Sequence, residues 1–200
     1  RVMFSVWQPD TGPDDAGYLR TFWGVRYHPE KADDNPAKVI PPFNEDTTVD
    51  DVLAHRWPSA DALDYSRIGE ECARHHDTYA TFGSTWCPFF HEIGWLIGQE
   101  NYFMWMHTKP EVVEAITDAV VDYEIAVTRR FFQACHGKLD IAYFGNDFGT
   151  QRGLVISPAC WERFLRGLLE RYFDLAHACG CRVMQHSCGS VRALIPDYLA

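Results

Sequence analysis

The chain has 200 residues, of which 46% are hydrophobic and 23% are charged, and its formal net charge is −10. This composition supplies a packed core and excludes an intrinsically disordered chain, while the acidic balance without a basic cluster argues against nucleic acid as a partner. No stretch approaches about 18 uninterrupted apolar residues, so we expect neither a transmembrane helix nor a membrane partner.

The 7 cysteines are an odd number, and they are spread through apolar segments. Disulfides are rare in reducing compartments, so this pattern is typical of reduced thiols in a cytoplasmic protein. We expect most of these cysteines to be packing residues.

Residues 1–76 are expected to form an irregular N-terminal extension with short helices and a possible hairpin. The hairpin is predicted in 18–27, where aromatic and polar residues alternate. In 45–58, Thr48 followed by acidic residues predicts a capped short helix. A second short helix is predicted in 58–76.

Strands and helices alternate in the rest of the chain. Thr108 and Glu111 have the spacing of a capping box at the start of the longest helix, and Gly137 is its expected end. Ser157 and Pro158 are the expected cap and first residue of the next long helix. The predicted elements are a strand at 78–84, a helical segment at 88–106, a helix at 108–137, a strand at 140–147, a helix at 157–180, a strand at 181–186 and the start of a helix at 190–200.

Strands separated by long helices pair in parallel through right-handed crossovers. Two α/β architectures meet this requirement, an open doubly wound sheet and a (β/α)8 TIM barrel of about 250 residues. The chain has about three strand–helix units after its extension, and it stops inside an element. We therefore interpret 77–200 as the first strand–helix units of a TIM barrel whose C-terminal units are missing, so that only an N-terminal fragment is present.

Ligands of such sheets bind at the carboxyl ends of the strands, and three of these ends can be read from the sequence. They fall at 82–86, 144–153 and 185–190. In each of these segments, an apolar strand is followed by polar residues, small residues or glycines. This shared pattern predicts that the three strand ends form one site.

The third strand end carries the candidate metal ligands His186 and Cys188. Two residues apart on an extended strand, their side chains point to the same side, and imidazole with thiolate favours zinc over magnesium or calcium. A catalytic zinc needs at least one further ligand, and Cys179 and Cys181 lie at the opposite end of this strand. The alternative is a buried histidine bonded to the backbone beside a buried cysteine.

The other two strand ends carry further candidates. Asn146 and Asp147 are candidate catalytic residues, with Asp147 acting in acid–base chemistry, in orienting a metal-bound histidine or in accepting a substrate hydrogen bond. The alternative is a turn or cap role. Gln151 and Arg152 are candidate contacts to an anionic substrate, or else surface residues. Trp86 is a candidate contact to a flat or apolar small-molecule substrate, or else a core residue.

The segments "FGNDFGTQRGLVISPACWERFL" and "GCRVMQHSCGSVRALIPDYL" closely resemble the uroporphyrinogen decarboxylase (URO-D) superfamily. More specifically, they are similar to its branch of cobalamin- and corrinoid-dependent methyltransferases. The segments "FWGVRY" and "TTVDDVLAHRWPSAD" also look like the region that precedes the barrel in this branch. The resemblance spans most of residues 20–200.

The resemblance implies a (β/α)8 barrel in which His186 and Cys188 bind Zn²⁺. It also implies a third ligand, a cysteine from a later strand, expected beyond residue 200. The zinc would bind a thiol acceptor as thiolate, and the thiolate would attack the methyl group of a methyl-corrinoid carried by a partner protein.

Two other functions are weighed against methyl transfer. The resemblance also permits a cofactor-free uroporphyrinogen decarboxylase, a carboxy-lyase of porphyrin (tetrapyrrole) biosynthesis on the same barrel. The chain lacks an arginine-rich N-terminal segment, and its net charge of −10 suits a polyanionic substrate poorly, so methyl transfer is favoured. A corrinoid-binding module is disfavoured, because no D-x-H-x-x-G motif occurs.

Overall fold

Two β-sheets and a layer of helices make up the part of the chain that the computed structural model describes, residues 2–4, 12–29 and 39–199. The strands are β1 (Val2–Phe4), β2 (Leu19–Arg20), β3 (Arg26–Tyr27), β4 (Val39–Ile40), β5 (Thr81–Trp86), β6 (Ile141–Gly145) and β7 (Arg182–His186). The α-helices are α1 (Val49–Ala54), α2 (Ile68–His75), α3 (Phe89–Ile97), α4 (Gln99–Thr108), α5 (Pro110–Ala134), α6 (Pro158–Phe164), α7 (Arg166–Ala178) and α8 (Ile195–Tyr198). Short 3-10 turns lie at Ala60–Ala62 and Arg192–Leu194.

The larger sheet is parallel throughout, and its strand order β1-β5-β6-β7 follows the chain. Helices α5 and α7 contact each other, for example through Tyr172 and Glu124, so the two crossovers lie on the same face of the sheet. The predicted α/β class with parallel pairing is confirmed. The sheet has four strands and is open within the described ranges, so a closed barrel is not seen.

The strand β1 joins this sheet at a place where the sequence gives no strand signal. It pairs in parallel with β5, with Val2 opposite Thr81 and Phe4 opposite Gly83. A strand of three residues is too short to show a period-two pattern, and strand pairing with a distant segment determines its conformation instead.

Both long helical segments are interrupted where the sequence predicts continuous helices. The segment 88–106 divides into α3 and α4 at Gly98, which has a φ of +90° that glycine adopts without strain. The segment 157–180 divides into α6 and α7 at Leu165. The predicted cap of Ser157 on the first of these two helices is confirmed, with the Ser157 side chain accepting a hydrogen bond from the Cys160 N–H at 3.2 Å.

The predicted capping box at Thr108 is wrong. Thr108 is the last residue of α4, and its hydroxyl donates to the Met104 carbonyl at 3.1 Å. Helix α5 instead begins at Pro110 after Lys109, which makes no side-chain cap. Proline suits the first helical position because its φ is already helical and its missing N–H has no partner there.

The N-terminal extension contains the predicted hairpin and the predicted helix cap. Strands β2, β3 and β4 form a small antiparallel sheet, so the hairpin in 18–27 gains a third strand. Thr48 and Asp51 form a complete capping box at the start of α1. Trp23 is buried in this region, with its ring centroid 5.0 Å from that of Tyr123 on α5, so the extension packs against the helix layer.

The two faces of the parallel sheet differ in burial. On β6, Ala142 and Phe144 are buried against the helices, whereas Ile141 and Tyr143, which alternate with them, are only half-buried. The face away from the helices is therefore the more open one. Within the three described ranges, no helix has the length and apolar run that a membrane crossing requires.

Glu124 is a buried carboxyl group in the middle of α5, and it generates a testable pH dependence. It is 5% exposed, and its Oε2 accepts a hydrogen bond from the Tyr172 hydroxyl at 2.6 Å. Burial raises the pKa of Glu124 well above its usual range. The folded state therefore binds the proton more tightly than the unfolded chain, and this group lowers stability as the pH rises above about 4.3.

We expect Glu124→Gln to stabilise the protein, with an advantage that grows by about 1–2 kcal/mol between pH 4 and pH 8. Urea unfolding at several pH values measures the free energy of unfolding of the variant and of the unsubstituted protein. Glu45→Gln, an exposed loop variant, is the control and should show no such growth. An advantage for Glu124→Gln that is independent of pH would contradict the assignment.

Candidate metal site

The loops that follow β6 and β7 interlock at the carboxyl end of the sheet. Gly145 lies opposite His186 in the register, so the two strands end at the same level. Beyond them the Ser190 N–H donates to the Thr150 carbonyl at 2.7 Å. A Cβ built on Gly149 would lie 2.7–2.8 Å from backbone atoms of residues 188–190, so the close approach requires glycine there.

Three potential ligand side chains meet where these loops interlock. Asp147, His186 and Cys188 each offer an atom within 4.8 Å of the others. His186 Nε2 is 3.3 Å from Asp147 Oδ1 and 3.4 Å from Cys188 Sγ. Asp147 and His186 are half-buried and Cys188 is exposed, so the cluster is open to solvent on its cysteine side.

The two separations at His186 Nε2 are those expected between ligands of a tetrahedral metal ion. Nitrogen, oxygen and sulfur ligands at about 2.0–2.3 Å from zinc, at the tetrahedral angle, lie about 3.3–3.7 Å from one another. The two separations at His186 Nε2 agree with this range. Imidazole, thiolate and carboxylate together are a zinc ligand set. Asp147 supplies an oxygen that the sequence alone does not identify as a ligand.

Hydrogen bonds fix the Asp147 carboxylate within the cluster. Its Oδ1 accepts the Cys188 N–H at 2.7 Å, and its own N–H donates to His91 Nε2 at 3.2 Å. Burial raises the pKa of Asp147, but the hydrogen bonds from Cys188 and the imidazoles of His91 and His186 outweigh it and lower the pKa. The hydrogen bond with Asp147 raises the pKa of the Cys188 thiol.

His91 on α3 is a site residue to which the sequence assigned no role, although it follows the first strand end. Its Nε2 accepts the Asp147 N–H and lies 3.9 Å from Asp147 Oδ2. Burial lowers the pKa of His91, against the opposing effect of Asp147. A neutral imidazole that accepts at Nε2 carries its proton on Nδ1, so His91 supports Asp147 as a hydrogen-bond acceptor.

Residues on either side of Asp147 anchor its loop in the core. Asn146 is 1% exposed, and its amide accepts the Phe90 N–H and donates to the Cys87 carbonyl, both at 3.0 Å. Phe148 is fully buried and contacts Phe90. Asn146 was a candidate catalytic residue in the sequence. Its amide is bonded at one end to the loop that follows β5 and at the other to the first turn of α3, and it positions Asp147.

Trp86 forms one wall of the cluster. Its ring centroid lies 5.6 Å from that of His186 and 4.8 Å from that of Tyr143. The indole lies over Gly145, where a Cβ would come within 2.4 Å of the ring. Trp86 and Cys87 have φ angles of 64° and 49°, and such strained consecutive residues cluster at functional sites.

The structure places Gln151 and Arg152 in an exposed turn beside the cluster. Thr150 closes this turn, with its hydroxyl accepting the Arg152 N–H at 3.2 Å. Among the described contacts, neither side chain touches Asp147, His186 or Cys188. Their role as substrate contacts stays a prediction.

Comparisons with known proteins add a structural likeness. No family model matches the sequence, and no curated protein sequence matches it. A methyltransferase from Methanosarcina mazei matches in structure with a TM-score of 0.49 and 16% identity, over 66% of this chain and 36% of that one. This chain thus spans about a third of the length of that protein. At this TM-score the likeness does not establish a shared function.

The close approach of the two loops predicts that Gly149→Ala destabilises the protein by about 1–3 kcal/mol, because the added Cβ meets backbone that has no room to move. Thermal unfolding measures the effect. Gly153→Ala in the same loop is the control, since nothing lies within 4 Å of its added Cβ. Equal stability of the two variants would contradict the interlocked arrangement.

Proposed function

We propose that this chain belongs to a zinc-dependent enzyme that transfers a methyl group from a methyl-corrinoid, carried by a partner protein, to a thiol acceptor. One observation carries the proposal: ligand atoms of Asp147, His186 and Cys188 lie within 4.8 Å of one another. They do so at the carboxyl ends of parallel strands, where α/β enzymes bind their ligands.

His186, Cys188 and Asp147 would hold the zinc ion. The resemblance to corrinoid-dependent methyltransferases implies a further cysteine ligand from a later strand, and the exposed side of Cys188 leaves room for it or for a substrate thiol. Zinc bound there would lower the pKa of a substrate thiol, so that the thiolate is present at neutral pH.

The chain's own residues would prepare the cluster for the acceptor thiol. The Asp147 carboxylate holds the Cys188 backbone and faces the His186 imidazole, so two side chains are oriented before any substrate arrives. Trp86 lies against one side of the cluster, with its ring centroid 5.6 Å from that of His186, and is 38% exposed. Together with Tyr143, it offers aromatic surface to a flat substrate.

The proposed transfer is balanced without an additional oxidant or reductant. A carbon–sulfur bond forms between the thiolate and the methyl group, and the carbon–cobalt bond breaks with both of its electrons remaining on cobalt. The products are a methyl thioether and a corrinoid reduced from Co(III) to Co(I).

The strand order supports a (β/α)8 barrel over a doubly wound sheet as the complete fold. A doubly wound sheet reverses its strand order and carries helices on both faces. Here the order follows the chain, and α5 and α7 share one face. The half-buried face of β6 and β7 would be the interior of the barrel.

Metal analysis tests the ligand assignment. We expect about one zinc per chain, and less than roughly a tenth of that in His186→Ala and Cys188→Ser, because a site with three protein ligands rarely retains zinc after losing one. His177→Ala and Cys179→Ser are matched controls, since both residues are exposed and lie at the far end of α7. Zinc loss in the controls, or full retention in the ligand variants, would contradict the assignment.

Anaerobic incubation of the zinc-loaded protein with methylcobalamin and 2-mercaptoethanol tests the reaction. We expect formation of methylated mercaptoethanol together with cob(I)alamin, at a rate that falls by at least about a hundredfold in Cys188→Ser. The protein in which zinc has been removed by a chelator should be equally inactive. Turnover of uroporphyrinogen by that metal-free protein would instead favour the decarboxylase.

A further inference from the structure

Two buried cysteine thiols face each other where α2 packs against the end of α5. Cys72 Sγ lies 3.6 Å from Cys135 Sγ, and the two residues are 63 positions apart in the sequence. Cys72 is fully buried and Cys135 is 1% exposed. Other cysteines instead have their sulfur atoms beside hydroxyl, imidazole or carbonyl groups: Cys87, Cys160, Cys181 and Cys188. A disulfide between Cys72 and Cys135 would therefore join two helices that are distant in the sequence.

The backbones of these two helices approach closely beside the thiols. A Cβ built on Gly69 would lie 2.8 Å from the Ala134 carbonyl oxygen. Gly69 and Cys72 are three residues apart in α2 and lie on the same face of this helix, and Ala134 directly precedes Cys135. A disulfide requires short Cα and Cβ separations, which helices in backbone contact provide.

The thiol pair lies at the amino end of the parallel sheet. The carbonyl of Lys138, three residues after Cys135, accepts a hydrogen bond from the Thr81 hydroxyl at 2.7 Å, and Thr81 is the first residue of β5. The candidate metal cluster lies at the opposite, carboxyl end of the strands. A disulfide at the thiol pair would therefore use none of the candidate metal ligands.

We propose that Cys72 and Cys135 are a site of reversible oxidation, at which a disulfide joins α2 to the end of α5. The proposal depends neither on a bound metal nor on methyl transfer. The disulfide would close the segment between the two cysteines, which contains β5, α3, α4 and nearly all of α5. A closed segment has fewer unfolded conformations, so the oxidised protein should unfold at a higher urea concentration.

Oxidation by a small disulfide such as glutathione disulfide is balanced. The thiolate of one cysteine attacks a sulfur atom of the reagent, which forms a mixed disulfide and releases one glutathione. The thiolate of the other cysteine attacks the mixed disulfide, which forms the bond between Cys72 and Cys135 and releases the second glutathione. The two thiol protons pass to the two released glutathione thiolates, and the reagent is reduced by two electrons.

Burial makes this exchange slow without preventing it. It raises the pKa of both thiols, so only a small fraction of each is thiolate at neutral pH. Exposed cysteines such as Cys179 and Cys188 should therefore react with the reagent first. The position of the equilibrium is set by how well the folded chain holds the two sulfur atoms together, and not by these rates.

Peptide mapping tests the pairing. The folded, metal-free protein is incubated with a millimolar excess of glutathione disulfide at mildly alkaline pH, free thiols are blocked with N-ethylmaleimide, and unreduced peptides are identified by mass spectrometry. We expect most chains to contain a disulfide between Cys72 and Cys135 that dithiothreitol reverses, with an unchanged circular dichroism spectrum. The competing partners are Cys179 and Cys181, which also raise the pKa of Cys135. Free thiols at Cys72 and Cys135 at equilibrium, a disulfide from Cys135 to a competing partner, or loss of the folded spectrum would overturn the proposal.

Substitutions test the effect of the disulfide on unfolding. Cys72→Ala and Cys135→Ala should each prevent it, whereas Cys160→Ala, which removes another buried thiol, is the matched control. Each protein is unfolded in urea before and after oxidation, so that the effect of the substitution itself cancels. We expect oxidation to raise the urea midpoint by about 1 M in the unsubstituted protein and in Cys160→Ala only. A rise that persists in Cys72→Ala or Cys135→Ala, or no rise in the unsubstituted protein, would overturn the proposal.

Discussion

The hydrogen bond from the Cys188 N–H to the Asp147 carboxylate is the interaction on which the candidate metal site depends. His186 is the last residue of β7, so strand pairing already fixes its position. Cys188 lies two residues past the strand and is exposed, so strand pairing does not fix its position. A charge-assisted bond of this kind contributes about 1.5–3 kcal/mol to holding the loop in this conformation.

Asp147 can hold Cys188 because several contacts fix the position of Asp147. Its neighbours Asn146 and Phe148 point into the core while its side chain points out, and the Phe148 N–H donates to Ser187 Oγ at 3.0 Å. The contact between Gly149 and Gly189 then brings the two loops together at backbone distance. The buried side chains on one side of the loop therefore fix the position of the exposed ligand side chain on the other side, as a preorganised site requires.

The sequence predicted the local parts of this arrangement but not its assembly. The three strand ends and the pair His186 and Cys188 followed from periodicity and spacing, which are local properties. Asp147 as a ligand depends on the register between β6 and β7, which no local pattern contains. The same limitation explains the strand β1, which exists only through its pairing with β5, and Asn146, whose burial follows from the loop around Phe90.

X-ray absorption spectroscopy at the zinc edge of the zinc-loaded protein tests the central claim most directly, because it measures the atoms around the ion rather than its presence. We predict one sulfur neighbour at about 2.3 Å with nitrogen and oxygen neighbours at about 2.0 Å, and loss of the sulfur signal in Cys188→Ser. Coordination by nitrogen and oxygen alone in the unsubstituted chain, or a sulfur signal that persists in Cys188→Ser, would contradict the account.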